Sequence, residues 1–345
     1  MTLAPNQIAN EDQLDDLLTS PSPALVDFIK TVPSPLLILG AGGKMGPSMA
    51  VLAKRAAKAA NHPLKVVAVS RFKDSLARSW LEQRHVTALA ADLLLPGDLQ
   101  KLPDSTAVIY LVGQKFGTAQ SPSITWAINT IVPAQVARRY PDARIVALST
   151  GNVYPFSEVS RGGAVESDPL TPLGEYANSA VGRERIFQFY AQSQNTPIAL
   201  LRLFYAVELR YGVLVDIARK VHQGDPVELA NGYFNCIWQG DANELVLRSL
   251  ALASSPASVW NLCRPEIFSV RKVATEFGNC LGRSPGFSGT EAPTALLGNS
   301  SQLCAKLQPP TVPIDRMIHW IASWVAKGGR ALDKPTHFEV RDGNY

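Results

Sequence analysis

The chain has few cysteines, and their spacing suits neither a metal site nor a disulfide framework. The four residues, Cys236, Cys263, Cys280 and Cys304, lie far apart and form no Cys-x-x-Cys motif, and the five histidines are scattered. Zinc sites and disulfide-rich secreted domains need clustered or regularly spaced cysteines. We therefore expect no bound metal and no disulfide bonds.

Strong charge and long apolar runs are also missing. Only 18% of the residues are charged and the net charge is +4. The short basic clusters Arg138-Arg139 and Arg183/Arg185 are typical of solvated helix faces, so we expect no nucleic-acid partner. No apolar run approaches the roughly 18 residues of a membrane span, and the acidic N-terminal region does not resemble a secretory signal. We expect a cytoplasmic protein with no membrane partner.

The composition supports a large folded core. Hydrophobic residues make up 46% of the 345 residues, unlike a disordered chain. Residues 1–30 are predicted to form an N-terminal helical extension and residues 31–205 a dinucleotide-binding domain. The pattern changes afterwards, and residues 206–345 are predicted to form mainly a substrate-binding lobe, with some segments returning to the central sheet.

Strand and helix patterns alternate through the first two thirds of the chain. Near-continuous apolar runs predict strands at 36–39, 64–70, 85–91, 107–112, 144–149 and 197–204. Helices are predicted at 50–60, 124–140, 176–192, 211–223, 270–281 and 314–327. Apolar strands separated by helices indicate a parallel sheet covered on both faces. The fold class is therefore α/β, a Rossmann-like doubly wound parallel sheet with a smaller C-terminal substrate lobe.

A glycine-rich turn follows the first predicted strand. Gly40, Gly43 and Gly46 have the spacing GxxGxxG, and an Ala-rich helix follows. Glycines allow close backbone approach, and the free N–H groups of a helix N-terminus attract phosphate. A plain turn is the alternative, because the GxGxxG fingerprint fails at Met45. The turn predicts a dinucleotide site formed by Gly40, Gly42, Gly43, Lys44, Met45 and Gly46.

Further cofactor contacts are expected where the other strands end, because ligands of such sheets lie at the carboxyl ends of the strands. An Arg suits the 2′-phosphate of NADP, and Arg71 follows the second strand with Lys73 nearby. Lys44 adds another cation. NADP is therefore favoured and NAD is possible, although Arg71 can equally be a surface residue. The strand-end residues are Ser70, Arg71, Val112, Gly113, Gln114, Ser149 and Thr150.

From about residue 35 to 327 the ordered motifs resemble the extended short-chain dehydrogenase/reductase family, also called the NAD-dependent epimerase/dehydratase family. The resemblance implies an adenine-contacting Asp92-Leu93 pair, a cofactor-site Asn129, and Thr150 and Tyr176 as catalytic residues, with Tyr176 also touching the cofactor. It further implies a homodimer formed through helices 124–140 and 176–192. The motifs are GxxGxxG, Asp92-Leu93, Asn129, residues 149–154 (STGNVY), Tyr176, Arg202 and Asp241.

The sequence departs from this family at one chemically important position. A Tyr that exchanges a proton needs a lowered pKa, which a Lys four residues later on the same helix face provides. That position is Ala180. Arg183 lies about 10 Å further along the helix, and Lys115 is another candidate cation. Tyr176 is thus either an acid/base with substitute electrostatics or an aromatic retained in a degenerate site. Thr150 either orients a substrate oxygen or is satisfied by backbone.

The function that follows is hydride transfer at a carbinol or carbonyl carbon. Members acting on nucleotide sugars often hold the diphosphate with an arginine seven residues before the later aspartate, where this chain has Phe234. We therefore expect a small sugar, sugar acid or polyol as substrate of an NAD(P)-dependent oxidoreductase or epimerase. The alternative is a non-catalytic NAD(P)-binding sensor or assembly protein, and Ala180 motivates it.

Overall fold

Seven parallel strands form the central sheet of the computed structural model, which describes residues 5, 7–73, 75–115, 117–334 and 336–343. The spatial order is β7-β6-β5-β4-β1-β2-β3, the doubly wound arrangement predicted from the sequence. The strand order reverses between β1 and β4, which creates a crevice at their carboxyl ends. The strands are β1 Leu36–Leu39, β2 Val66–Ser70, β3 Thr87–Ala90, β4 Ala107–Tyr110, β5 Arg144–Thr150, β6 Ile198–Leu203 and β7 Ser258–Leu262.

The central strands are buried on both faces. In β1 every side chain is fully buried, and Leu36 pairs with Val66 on one side and with Ala107 on the other. Burial on both faces explains why these strands are continuous apolar runs rather than alternating ones.

Helices cover the two faces of the sheet. On one face α2, α3 and α10 pack together, and on the other α7 packs against α5 and α8. The helices of the chain up to α10 are α1 Glu11–Leu18, α2 Pro23–Ile29, α3 Gly46–Ala59, α4 Ser75–Glu82, α5 Pro96–Gln100, α6 Pro122–Trp126, α7 Val132–Arg139, α8 Gly174–Gln194, α9 Val213–Gln223 and α10 Gln239–Arg248. A π-helical turn, Ala127–Ile131, joins α6 to α7, and single 3₁₀ turns occur at Gly151–Val153, Val159–Arg161 and Ser249–Leu252.

The N-terminal helices connect two separate cores. Asn10 and Ser22 cap α1 and α2 by accepting hydrogen bonds from backbone N–H groups. Leu14 of α1 is buried in the core of the C-terminal lobe, whereas Leu25 of α2 is buried in the core beneath the sheet. The extension therefore packs against both parts of the fold.

A second core holds the C-terminal lobe together. The helices α9, α11 (Val270–Leu281) and α13 (Ile314–Ala326) pack against one another around it. A shorter helix, α12, spans Ser301–Leu307. Although β7 follows residue 205, it pairs with β6 in the central sheet. Two-residue strand pairs complete the lobe: Tyr233–Phe234 with Phe268–Ser269, Ile237–Trp238 with Ala206–Val207, Val227–Glu228 with Phe287–Ser288, and Thr294–Ala295 with Ser157–Glu158.

The described part of the chain offers neither a membrane-spanning helix nor a metal cluster. None of the helices there is long and apolar enough to cross a bilayer. The same residues contain no group of three or more side chains able to hold a metal ion.

Candidate cofactor and catalytic site

The glycine turn leaves no room for side chains at its key positions. Gly40 has φ +83°, and a Cβ there would lie 2.9 Å from the amide nitrogen of Val112. A Cβ on Gly46 would lie 2.4 Å from the carbonyl oxygen of Ala41. Gly42 and Gly43 are exposed in the turn before α3. The turn is therefore an open cradle of main-chain atoms at a helix N-terminus, which fits a dinucleotide phosphate.

The end of β2 lies beside this turn. The Oγ of Ser70 is 2.5 Å from the point where a Cβ of Gly42 would stand. Arg71 follows directly and is exposed. A cation is thus available next to the cradle, as the sequence predicts.

The Asp92-Leu93 pair follows β3. One carboxylate oxygen of Asp92 accepts a hydrogen bond from the Leu94 N–H at 3.0 Å, and the residue remains partly exposed. The Leu93 side chain is buried in the core of the sheet. Asp92 can therefore offer a ligand its carboxylate, and Leu93 only its main chain.

The end of β4 is held by Asn129, which lies in the π-helical turn and is fully buried. Its amide oxygen accepts from the Gln114 N–H at 3.2 Å and its amide nitrogen donates to Ser179 at 2.8 Å. Arg183 also donates to the Asn129 oxygen at 2.8 Å. The loop carrying Gly113 and Gln114 is therefore fixed through Asn129.

Arg183 does not take the place of the missing lysine. Its guanidinium is buried and donates to the Leu148 carbonyl at 2.8 Å as well as to Asn129. A Cβ on Gly113 would lie 2.8 Å from its Nη2. Arg183 therefore lies beneath the loop that follows β4 and carries Gly113 and Gln114, which we call the β4 loop. Its guanidinium stabilises that loop through Asn129.

Ser149, at the end of β5, belongs to a buried polar network. Its hydroxyl donates to Glu184 at 2.6 Å, and Glu184 forms an ion pair with Arg202 at 2.7 Å. Arg202 also donates to the Tyr154 hydroxyl, which donates in turn to Asn261 at 3.0 Å. Burial raises the pKa of Tyr154 to about 12, although Arg202 opposes the shift. The hydrogen of Ser149 is held by Glu184, which leaves its hydroxyl oxygen only the role of hydrogen-bond acceptor toward any further group.

Thr150 is satisfied within its own turn. Its hydroxyl donates to the Asn152 side chain at 2.9 Å and accepts from the Asn152 N–H at 3.2 Å, which caps the short 3₁₀ turn. To donate to a substrate oxygen, this hydroxyl must rotate away from Asn152.

Tyr176 lies in the first turn of α8 and is partly buried. The Nζ of Lys115 is 5.9 Å from the centroid of its ring. Burial lowers the pKa of Lys115 to about 8. Ala180, in contrast, is fully buried and packs with Val153 and Phe204. Apolar packing thus fills the surroundings of Ala180, and the cation beside Tyr176 comes from the β4 loop.

Lys44 points toward the C-terminal lobe. Its Nζ donates to the Ala206 carbonyl at 2.8 Å and lies 3.7 Å above the ring of Tyr211. Burial lowers the pKa of Lys44 to about 7, and the nearby Glu208 and Asp216 carboxylates oppose that shift. The Lys44 side chain therefore joins the nucleotide turn to the lobe, whereas Arg71 and Lys73, which follow β2, are exposed.

Tyr211 was not among the predicted site residues. Burial raises its pKa, and Asp216 and Tyr176 act on it electrostatically in the same direction. Tyr211 and Tyr176 therefore lie within electrostatic reach of each other. Nothing local in the sequence signals this, because the two residues lie on different elements.

Asp241 and Phe234, the two remaining positions of the family comparison, make contacts that stabilise the fold. Both carboxylate oxygens of Asp241 accept hydrogen bonds from Thr311, and one also accepts from the Val312 N–H. Phe234 is buried and packs against Phe268. Asp241 therefore fixes the loop before α13, and Phe234 supplies core packing.

Comparison with known proteins agrees with this arrangement. The chain matches the model of the NAD dependent epimerase/dehydratase family over residues 36–242. No curated protein sequence matches it significantly.

Solved structures resemble the whole fold at low sequence identity. UDP-glucuronic acid 4-epimerase from Bacillus cereus, in complex with UDP-glucuronic acid and NAD, is 18% identical with a TM-score of 0.70, over 85% of this chain and 99% of its own. UDP-glucose 4-epimerase from Thermotoga maritima, with UDP-glucose, is 15% identical with a TM-score of 0.69 and the same coverage.

A dehydratase gives the same fold. dTDP-glucose 4,6-dehydratase from Bacillus anthracis, in complex with NAD, is 14% identical with a TM-score of 0.72, over 86% of this chain and 97% of its own. The family match covers more than half of the chain and contains every predicted cofactor and catalytic residue. The chain therefore belongs to the NAD dependent epimerase/dehydratase family and is an oxidoreductase-type enzyme of that class.

Proposed function

We propose that this enzyme moves a hydride at a carbinol or carbonyl carbon of a small sugar-like substrate. The observation that carries the proposal is the Lys115 ammonium 5.9 Å from the Tyr176 ring, because a tyrosine that exchanges a proton needs a nearby positive charge. A bound nicotinamide dinucleotide supplies the hydride acceptor or donor. The glycine cradle at Gly40–Gly46 fits such a group.

Four side chains of the protein would handle the proton and orient the substrate. Tyr176 takes or returns the hydroxyl proton of the substrate, and Lys115 stabilises the tyrosinate that forms. Ser149 accepts a hydrogen bond from a second hydroxyl of the substrate, because its own hydrogen is held by Glu184. Thr150 adds a second contact once its hydroxyl turns from Asn152.

The proposal is tested by Tyr176→Phe. The phenylalanine keeps the ring but cannot exchange a proton, so we expect substrate-dependent reduction of NADP to slow by about 10²- to 10⁴-fold. Absorbance of the reduced nicotinamide is followed over a panel of sugars, sugar acids and polyols, together with product NMR, because an epimerase returns the hydride and leaves no net reduced cofactor. Tyr140→Phe is the matched control, since the Tyr140 hydroxyl donates to Pro103 at 3.3 Å beside the opposite ends of the strands.

Two outcomes would count against this function. Full activity of Tyr176→Phe would remove Tyr176 from the mechanism. If the unaltered enzyme binds cofactor but turns over nothing in the panel, the non-catalytic sensor replaces the proposal.

We propose NADP as the preferred cofactor because Arg71 is exposed beside the glycine cradle. Arg71→Ala should weaken NADP binding by about 10- to 100-fold through loss of a charge-assisted hydrogen bond, and should leave NAD binding nearly unchanged. Fluorescence titration of NADPH and NADH measures both. Arg78→Ala, an exposed change in α4, serves as the control. Tighter NADH than NADPH binding by the unaltered enzyme would overturn this preference.

We also propose that the substrate carries no nucleotide. The solved relatives bind UDP-linked sugars, but this chain buries Phe234 where the resemblance puts a diphosphate-binding arginine. A small sugar, sugar acid or polyol fits that difference.

A homodimer is proposed from an apolar surface on two neighbouring helices. Ile124 and Trp126 of α6, Ile131 of the π-helical turn and Phe189 of α8 are exposed at 50%, 38%, 48% and 60%. Such apolar surfaces on soluble proteins mark contact sites.

The dimer is tested at Phe189. Phe189→Glu places a charge in the apolar surface, so we expect sedimentation to report monomers where the unaltered chain sediments as a dimer. Leu76→Glu is the control, because Leu76 is 76% exposed on α4, away from these helices. A monomer in the unaltered chain at micromolar concentration would end the idea.

A further inference from the structure

The last described segment of the chain lies across the crevice. We call residues 336–343 the C-terminal strap. At one end, a Cβ on Gly343 would lie 2.5 Å from the carbonyl oxygen of Leu173. A Cβ on Gly174 would likewise overlap the carbonyl oxygen of Gly343, and Gly174 begins α8, two residues before Tyr176. The strap therefore reaches the helix turn that carries the proposed acid/base.

The other end of the strap is fastened to the C-terminal lobe. Thr336 is 2% exposed, and its N–H and hydroxyl donate to Asp216 at 2.9 and 2.6 Å. Phe338 is also 2% exposed and belongs to the core of the lobe. Buried apolar and polar anchors together hold the strap in place.

Carbonyl oxygens of the strap accept hydrogen bonds from two side chains outside it. The Lys115 ammonium donates to the Thr336 carbonyl at 3.3 Å. The Asn231 amide donates to the Phe338 carbonyl at 2.7 Å and to the Val340 carbonyl at 3.3 Å. An ammonium and a side-chain amide are the donors that a substrate with several hydroxyl or carbonyl oxygens needs.

Arg341 closes the remaining space. Its guanidinium donates to the Thr294 carbonyl and hydroxyl at 2.9 and 2.8 Å and lies 4.3 Å over the Phe156 ring. With Gly343 it lines a cavity of about 20 Å³, shared with Asn152, Tyr154 and Leu173. That volume holds about one water molecule, whereas pockets for small molecules measure roughly 300–1,000 Å³. A sugar cannot enter beside Asn152 while the strap is in place.

We propose that the C-terminal strap is an intramolecular competitor of a small polyhydroxylated substrate. The substrate binds after the strap leaves and takes over the donors on Lys115 and Asn231. This inference rests on the proposed function, because it identifies the space beside Tyr176 as the substrate site. The apparent substrate affinity is then reduced by the fraction of molecules in which the strap is open.

The test measures access to Lys115. The full chain carrying Phe338→Ser and Arg341→Ser keeps every crevice residue but loses the buried ring and the guanidinium contacts of the strap. The variant is acetylated with a water-soluble succinimidyl ester at about pH 8, where the Lys115 amine, whose pKa is lowered to about 8, is partly neutral. Lys115 should react at least about tenfold faster than in the unaltered chain. Peptide mass spectrometry reports each lysine separately.

Controls separate strap release from general loosening. Asp333→Ser removes only an ion pair with Arg219 whose side chains are 78% and 42% exposed, so Lys115 should stay protected. The exposed Lys272 should label at the same rate in all chains. Arg341→Ser alone serves if the double variant does not fold, and it should give a smaller acceleration in the same direction.

The inference is overturned if Lys115 labels as fast as Lys272 in the unaltered chain. It is equally overturned if labelling of Lys115 is the same with and without the strap substitutions. Labelling of Lys115 requires no hydride chemistry, so its outcome does not depend on the proposed function. Cofactor titration of the same variants shows separately whether they bind the dinucleotide. With a substrate from the panel, the strap substitutions should lower KM and leave kcat unchanged.

Discussion

Lys115→Met is expected to lower kcat by about 10²-fold or more, with NADP binding unchanged. Methionine keeps much of the volume but removes the only cation that the described residues place over the Tyr176 ring. Without that charge the tyrosinate is no longer stabilised, and proton exchange slows. Steady-state kinetics and cofactor titration measure the two effects separately.

The pH dependence gives a second signature of Lys115. Burial lowers the pKa of its ammonium to about 8, so the positive charge is present below that pH and is lost above it. We therefore expect kcat to fall above about pH 8, well below the ordinary lysine range near 10.4. Lys115→Arg keeps its charge at every accessible pH and should move this decline upward.

Lys54→Met is the matched control for Lys115. Lys54 lies on α3 and donates to the Leu64 carbonyl at 3.3 Å, outside the crevice. Its replacement should leave both kcat and the pH profile unchanged. If Lys115→Met retained full activity, Tyr176 would have to ionise without this cation.

Glu184→Ala should cost about 3–5 kcal/mol in the free energy of unfolding. Glu184 is fully buried and its ion pair with Arg202, whose side chain is 4% exposed, also holds Ser149. Removing the carboxylate leaves the Arg202 charge buried without its partner. Because whole proteins are stable by only about 5–15 kcal/mol, urea denaturation should show a much lower midpoint.

An exposed ion pair provides the comparison. Arg78 and Glu82 form an i,i+4 pair on α4 with both side chains 48% exposed. Glu82→Ala should change the free energy of unfolding by about 1 kcal/mol or less, because water screens such pairs. Equal losses from Glu184→Ala and Glu82→Ala would show that burial does not set the strength of the Glu184 pair.

The sequence predicted the central sheet well because its strands are buried on both faces. Continuous apolar runs such as Leu36–Leu39 and Ala107–Tyr110 are typical of such strands, and the structure confirms both. The bounds of β7 were not predicted, since it is an edge strand whose first three residues are only partly buried. α10 was missed because it begins with Gln-Gly-Asp, a poor helix-forming start.

The helix predicted for residues 124–140 is interrupted by the π-helical turn Ala127–Ile131. Pro133 lies in the first turn of α7, where its missing N–H costs little. The extra residue per turn was not visible in the apolar spacing, yet that turn carries Asn129, which fixes the β4 loop.

By itself the sequence determined the α/β fold, the nucleotide turn and the absence of a lysine at Ala180, because each depends on residues adjacent in the chain. Only the tertiary structure decided which cation stands beside Tyr176, that Arg183 supports Asn129 instead, and that the C-terminal strap lies in the crevice. These contacts join loops from distant parts of the chain. These loops meet because parallel strands end at one edge of the sheet. Side-chain packing at that edge determines which residues are in contact.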